Sequence, residues 1–344
     1  MTTHRALVFS GVEHAEIAML PTPEPGEMDL VIEAECSLIS SGTERSFFQA
    51  PPFTPFLPGY SLVGRVVRTG ALVREFAIGD RVIASAPHQA MALCHAHFAV
   101  KIDEELDGAQ ASFFNIAAMA IHAIRLSGIG LGDPVLLLGQ GLIGLVAVQV
   151  ARIAGAAPIF SVDIDPQRLE LSRHLGADAV FHAIADKERL HTAVAALPGK
   201  GPAATIELTG RPDTIEHAID LTRRGGTIVP GSMSLAGHGV NIFGRAWIEG
   251  LKIVGSYFNA RPWDVTSIET TPPTEWPLRI VPGEAPADLH SSRSDMRLFL
   301  RLLSLQRLSI APLVTDRVAP EDAAQQFAAL VGPDKLGTVI DWKC

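Results

Sequence analysis

Cysteine is scarce in this chain: Cys36, Cys94 and Cys344 are the three among 344 residues. They show no pairing pattern, so no disulfide framework is expected and a cytoplasmic, reducing setting fits. Positive charge is also short, with 28 Lys and Arg against 37 Asp and Glu, a formal net charge of −9. That balance argues against a nucleic-acid footprint and against a polybasic membrane patch. The start, Met1-Thr-Thr-His-Arg-Ala-Leu-Val-Phe9, has no apolar h-region or cleavage site, so export is not expected. Residues 134–151 carry no charge for eighteen positions, near the ~20 apolar residues that a membrane-spanning helix needs. One proline, three glycines and two glutamines interrupt it, and its first part reads as a buried strand. No membrane span, internal repeat or low-complexity tract is expected.

The same run carries the strongest positive signal. Pro134-Val-Leu-Leu-Leu-Gly139-Gln-Gly141-Leu-Ile-Gly144 continues as Leu145-Val-Ala-Val-Gln-Val-Ala-Arg152, which reads as strand, tight turn and helix. In a Gly-x-Gly-x-x-Gly turn Gly139 permits the bend, Gly141 admits a pyrophosphate, and Gly144 lets helix and strand pack closely. The helix start, with Leu142 and Ile143, presents free N–H groups and a positive dipole end. A second apolar segment, Ala157-Pro-Ile-Phe-Ser-Val162, ends at Asp163, nineteen residues after Gly144. A carboxylate there accepts hydrogen bonds from an adenosine ribose and repels a 2′-phosphate, so the expected cofactor is NAD(H). Arg168 is the nearby group that would help with a phosphate.

A chain of this length, 47% hydrophobic and 19% charged, suits two globular domains. Residues 1–100 show short β-like runs with Pro/Gly punctuation: Arg5–Phe9, Asp29–Glu35, Leu62–Arg68 and Gly79–Ala84. A helical, Ala-rich pattern covers about 109–127. Strands are predicted at 134–139, 157–162, 178–181, 204–208, 226–230 and 251–257, with helices near 143–154, 166–175, 187–196 and 213–223. This alternation predicts a doubly wound parallel sheet of the Rossmann type, hence an α/β fold. Residues 259–290 are Pro-rich and read as a long loop. A helix over 294–306, a strand over 314–317, a helix over 320–330 and a strand over 337–341 complete the pattern.

This layout resembles the medium-chain dehydrogenase/reductase superfamily over nearly the whole chain. The resemblance is carried by Pro58-Gly-Tyr-Ser-Leu-Val-Gly64, Gly79-Asp-Arg-Val82, Ala120-Ile-His-Ala-Ile124, Gly132-Asp133, Arg168-Leu169 and Thr205-Ile-Glu-Leu-Thr-Gly210. Ile39-Ser-Ser-Gly-Thr-Glu-Arg45 is most similar to the branch of bacteriochlorophyllide a dehydrogenase and sugar-cluster oxidoreductases. The resemblance implies a GroES-like β-rich catalytic domain (1–120 and 263–344) and a Rossmann NAD-binding domain (121–262). It adds Thr209 and Gly231 to the cofactor-binding residues. It also implies pairing through Leu251-Lys-Ile-Val-Gly-Ser-Tyr257, hence a homodimer, and places the 259–290 loop, with Arg261, Trp263 and Trp276, near a substrate cleft.

The departures from the family pattern are chemical. Ser41 stands where zinc-dependent members have a thiolate, Tyr60 and Ser61 where they have an imidazole and a carboxylate, and Asn115 at the third ligand. A hydroxyl, a phenol and an amide are poor Zn²⁺ ligands, so no catalytic metal is expected. His88, Cys94, His95 and His97 are four possible ligands within ten residues, but read better as strand residues, with His95 and His97 on one face. Without a metal, preorganised hydrogen bonds must stabilise the alkoxide. The catalytic candidates are Ser41, Thr43, Tyr60 and Asn115, with Glu44 orienting Arg45 or a substrate hydroxyl, and His122, at the head of the connecting helix, completing a relay. Against each stands a structural alternative: buried-backbone partners (Ser41, Asn115), a barrel-wall aromatic (Tyr60) or a packed helix residue (His122). The Tyr-x-x-x-Lys pair of short-chain dehydrogenases is missing, since Gly64 and Arg261 follow the two tyrosines. The expected activity is zinc-independent, NAD(H)-dependent interconversion of a polar secondary alcohol (a sugar, cyclitol or secondary-metabolite intermediate) and its ketone. The alternatives are a zinc-free enoyl or quinone reductase and a non-enzymatic NAD-binding protein.

Overall fold

The computed structural model describes residues 2–232, 239–257, 263, 290–331 and 335–343. Of the 259–290 loop, Arg261 and Trp276 lie outside the described residues. The chain divides into two compact units, Met1–Asn115 with Pro262–Cys344, and Ile116–Arg261.

The first unit opens with a hairpin of β1 (Thr3–Gly11) and β2 (His14–Pro21). Its larger sheet is built on β3 (Asp29–Ser40), whose Leu30, Val31, Ile32 and Ile39 are fully buried. A short helix, α1 (Thr43–Gln49), then precedes β4 (Leu62–Thr69), β5 (Arg81–Ala84), β6 (Met91–His95) and β7 (Ala99–Lys101). Helix α1 has no clear periodic signal in the sequence. It forms because Phe47 and Phe48 bury themselves, the Phe48 ring lying 5.4 Å from Phe9. Burying a phenylalanine contributes about 1.5–3 kcal/mol, so the two rings offset a large part of the cost of ordering seven residues at about 1–2 kcal/mol each. Two helices follow, α2 (Gly108–Ala111) and α3 (Phe114–Ser127), the latter belonging to the second unit from Ile116 onward.

In the second unit β8 (Val135–Leu138) leads to α4 (Leu142–Ile153), β9 (Ile159–Asp163), α5 (Pro166–Leu175) and β10 (Ala179–His182). Then come α6 (Lys187–Ala195), β11 (Ala204–Glu207), α7 (Thr214–Leu221), β12 (Thr227–Pro230), α8 (Arg245–Ile248) and β13 (Lys252–Ile253). The strands form one parallel sheet in the order β10-β9-β8-β11-β12-β13. Residues of β8 are at most 5% exposed, which is why the strand reads as a continuous apolar run. Asp165 caps α5 by accepting from the Gln167 and Arg168 amides. The strand expected over 251–257 is shorter. Beyond Ile253 the Val254 and Ser256 amides and the Ser256 hydroxyl still bond to β12, but the strand pairing ends at Ile253.

The first unit is completed by α9 (Ser292–Ser304), β14 (Val314–Val318), α10 (Pro320–Leu330) and β15 (Gly337–Asp341). Strand β15 inserts between β14 and β3, giving the order β14-β15-β3-β4-β5-β7, with β6 paired to β3. Phe327 of α10 packs 4.9 Å from Phe9 and 5.0 Å from Phe48, so α10 and α1 share one aromatic core. Among the described residues no helix is long and apolar enough to cross a membrane.

Burial, reinforced by the Glu35 carboxylate, pushes the Cys36 thiol up to about 12, and burial also raises Cys94. The thiolate is the reactive form. Iodoacetamide at pH 8 should therefore label neither residue in the native protein and both after unfolding. Peptide mapping that finds Cys36 alkylated in the native state would contradict this packing.

Candidate functional site

The turn between β8 and α4 lies where the strand order of the parallel sheet reverses, at β8 and β11. In such sheets the crevice at the carboxyl ends of the strands is the usual ligand position. Gly139 has φ +93°, and a Cβ there would meet Leu208 and Thr209 backbone at 2.8–2.9 Å. Gly144 packs closer still, since an added Cβ would lie 2.0 Å from the Gly139 carbonyl oxygen. Gly141 is different: a Cβ would meet nothing within 4 Å, so the space beside it is open. It is also the N-cap of α4 and supplies no side chain to the first-turn amides. Leu142 is buried and Ile143 half-buried.

Asp163 closes this turn from the end of β9. One carboxylate oxygen accepts from the Gln140 amide at 2.5 Å and the other from Asp165 at 2.9 Å. Each oxygen keeps a further lone pair for a ligand hydroxyl. Arg168 pairs with Asp165 at 3.5 Å. Opposite, at the end of β11, the sequence reading missed a buried acid. Glu207 is 3% exposed and accepts from the Thr209 amide at 2.6 Å and from the Thr209 hydroxyl. Its second oxygen faces the Ser232 hydroxyl at 3.3 Å, and the Gly231 amide donates to its backbone carbonyl. Thr209 and Gly231 are thus held by one carboxylate-bearing residue. The signal was present in Thr205-Ile-Glu-Leu-Thr-Gly210, where an acid ends an otherwise apolar strand.

The alcohol-handling candidates divide between the units. Ser41, Thr43, Glu44, Tyr60 and Asn115 belong to the first, and His122 to the second. His122 lies in the third turn of α3 rather than at its head, which corrects the expectation drawn from sequence. Asn115 is at that head, 3% exposed, with its amide nitrogen 2.5 Å from the Tyr60 carbonyl and 3.2–3.3 Å from the Ser85 and Ser61 hydroxyls. A carbonyl can only accept, so the nitrogen must face it, and both N–H groups are spent on these neighbours. Asn115 therefore cannot donate to an alkoxide. Its buried Oδ1, which has no partner among the described residues, is an acceptor instead.

Glu44 also departs from expectation. It neither meets Arg45 nor projects to solvent: it is 1% exposed, accepts from the Ser40 amide at 2.8 Å and faces His88 Nε2 at 2.9 Å. His88, fully buried, was visible in sequence only as a conceivable metal ligand. Ser41 and Thr43 are half-buried, and neither hydroxyl has a hydrogen-bond partner among the described residues. His95 and His97 do not share a strand face. The strand stops at His95, and a 3₁₀ turn over Ala96–Phe98 follows, the His97 amide donating to His95 Nδ1.

The donor set does not suit zinc. Ser41, Tyr60, Ser61 and Asn115 offer hydroxyls, a phenol and an amide whose nitrogen is already donating. Among the described residues no three His, Cys, Asp or Glu side chains gather as metal ligands would.

A family model described as zinc-binding dehydrogenase matches residues 143–270. Sorbitol dehydrogenase of Ovis aries is 28% identical over 261 residues, 65% of this chain and 73% of that one. The 2-desacetyl-2-hydroxyethyl bacteriochlorophyllide A dehydrogenase of Cereibacter sphaeroides is 27% identical across 98% of both chains. A zinc-binding dehydrogenase of Sinorhizobium meliloti, crystallised with NADP, superposes with TM-score 0.80 over 99% of this chain and 100% of its own, at 22% identity.

Proposed function

We propose that this chain is a zinc-independent, NAD(H)-dependent dehydrogenase of the medium-chain dehydrogenase/reductase superfamily, a reading supported by the matched family model and by the relatives that share its length and fold. Its substrate would be a polar secondary alcohol, a sugar, cyclitol or secondary-metabolite intermediate, interconverted with the ketone. The observation that carries this reading is the open space beside Gly141, bounded by the packed glycines 139 and 144 and by the Asp163 carboxylate. Those features suit a dinucleotide pyrophosphate on uncapped helix amides and an unphosphorylated ribose on Asp163. Glu207, Thr209 and Gly231 would shape the other half of that site. The dinucleotide would supply hydride acceptance and release. This chain's part is to hold it, orient the alcohol and carry its proton. The half-buried Thr43 hydroxyl and the Tyr60 phenol are assigned that proton, and the Ser41 hydroxyl the hydrogen bond to the reacting oxygen.

A homodimer is part of the proposal, supported by β13 being the sheet's edge strand, with Ile253 and Tyr257 more than two-fifths exposed. One set of measurements on the purified protein tests the whole. Sorbitol, 2,3-butanediol and aromatic alcohols are assayed by NADH absorbance, with NADP⁺ and an enone as comparison arms. Metal content and molar mass are measured on the same sample. The expected result is polyol oxidation with NAD⁺, no stoichiometric zinc, and twice the chain mass. One equivalent of bound zinc, or NADPH-dependent enone reduction alone, would overturn the reading.

Cofactor choice has its own test. Asp163→Asn removes the charge that repels a 2′-phosphate while keeping one acceptor for the turn. The ratio of NADPH to NADH affinity should rise about tenfold or more, one decade being about 1.4 kcal/mol. An unchanged ratio in fluorescence titrations would show that Asp163 does not set the preference.

A further inference from the structure

Glu44 and His88 form a buried pair that the proton-handling scheme does not use. Their partners run in one direction. Trp342 Nε1 donates to Ser37 Oγ at 2.9 Å, and Ser37 Oγ lies 2.8 Å from His88 Nδ1. His88 Nε2 then faces Glu44 Oε2 at 2.9 Å, while Glu44 Oε1 takes the Ser40 amide. A carboxylate only accepts, so Nε2 carries the hydrogen. The Trp342 indole only donates, so the Ser37 hydroxyl is left with one hydrogen to give. A neutral imidazole with an open Nδ1 satisfies every member. Trp342, Ser37, His88 and Glu44 are all at most 4% exposed, so a broken link leaves a buried group unpaired.

The two ends of this pair sit beside the two assigned proton carriers. Glu44 is the second residue of α1, directly after Thr43. His88 supports the turn that presents Tyr60: its amide donates to the Pro58 carbonyl at 2.8 Å. Gly59, at φ +98°, lies so close to the His88 ring that a Cβ would be 2.6 Å from it. We infer that the buried Glu44–His88 contact is a positioning device that locks the Thr43 end of α1 to the Pro58–Tyr60 turn. Neither side chain touches the reacting atoms. The inference rests on the assignment of Thr43 and Tyr60 as proton carriers.

Histidine replacements separate the links. His88→Asn keeps an amide near Nδ1 and loses the bond to Glu44, whereas His88→Gln places an N–H near Nε2 and restores it. Hydrogen exchange of peptides spanning 40–48 and 57–64 reads the lock without substrate. Both should exchange about tenfold faster in His88→Asn and return toward wild type in His88→Gln, while peptides of β8 to β12 stay unchanged; the melt of His88→Asn should fall because the buried Glu44 carboxylate loses its partner, and recover in His88→Gln. Polyol turnover with NAD⁺ should fall about thirtyfold in His88→Asn with KM within about twofold, and recover in His88→Gln. Nitrogen-15 spectra, assigned by loss of one imidazole in His88→Gln, should give the neutral Nε2–H form. Glu44→Gln retains one acceptor for two donors and should free one of the two segments. Unchanged exchange in both peptides of His88→Asn would overturn the inference. Lost protection with undiminished turnover would instead overturn the assignment of Thr43 and Tyr60 on which it rests.

Discussion

Gly141→Ala should fold as the native protein does and lose its dinucleotide. Position 141 has φ −76°, a value alanine adopts without strain, and its added methyl would touch nothing within 4 Å. The expected change in melting temperature is small, because the lower backbone entropy of the unfolded chain offsets a slightly poorer helix cap. If the open space is where a pyrophosphate lies against backbone, the same methyl should weaken NADH by about 100-fold, some 2.7 kcal/mol. Gly144→Ala provides the contrast, since its methyl would sit 2.0 Å from a carbonyl oxygen and force α4 away from the turn. That variant should lose stability as well as binding, by about 1–3 kcal/mol, the overpacking range. Calorimetry and NADH fluorescence on the two proteins separate packing from ligand contact. A Gly141→Ala protein that binds NADH like the wild type would remove this turn from the site.

Tyr60→Phe and Thr43→Ala should each lower kcat by about 100-fold or more while leaving NADH affinity intact, the range expected when a proton carrier is removed. The two differ in what surrounds them. Tyr60 is held through its backbone carbonyl by Asn115, so deleting the phenolic oxygen leaves the Asn115 bonds in place. Thr43 opens a helix anchored by Phe47 and Phe48, so trimming its hydroxyl does not disturb the aromatic core. A loss of rate in either can therefore be attributed to the hydroxyl. Full turnover in both variants would place proton transfer elsewhere, with Ser41 the next residue to examine.

The parallel-sheet unit was legible because each of its segments announces itself locally. Val135–Leu138 is an apolar run, Asp165 and Pro166 begin a helix, and Gly176 at φ +122° ends it. The region of the proposed proton carriers was less so. Helix α1 has seven residues and depends on Phe9 and Phe327, which lie far from it in sequence. For Asn115, residue type alone leaves both the donor and the acceptor capacity open. Only the Tyr60 carbonyl beside it decides which end of the amide is free. His88 and Glu44 are 44 residues apart, and Ser37 and Trp342 are 305, so no spacing rule would pair them.

Strand β15 fills the gap between β14 and β3, and Trp342 just beyond it reaches back to Ser37. During synthesis, residues 116–261 are contiguous and can collapse as soon as they emerge, while the sheet around β3 lacks a central neighbour until residue 341 arrives. For that interval residues 36–40 of β3 carry a bare hydrogen-bonding edge, residues 29–33 being paired with β6. The nascent chain is then most exposed to mispairing with its own copies or to chaperone capture, and premature termination before residue 337 would leave that edge open.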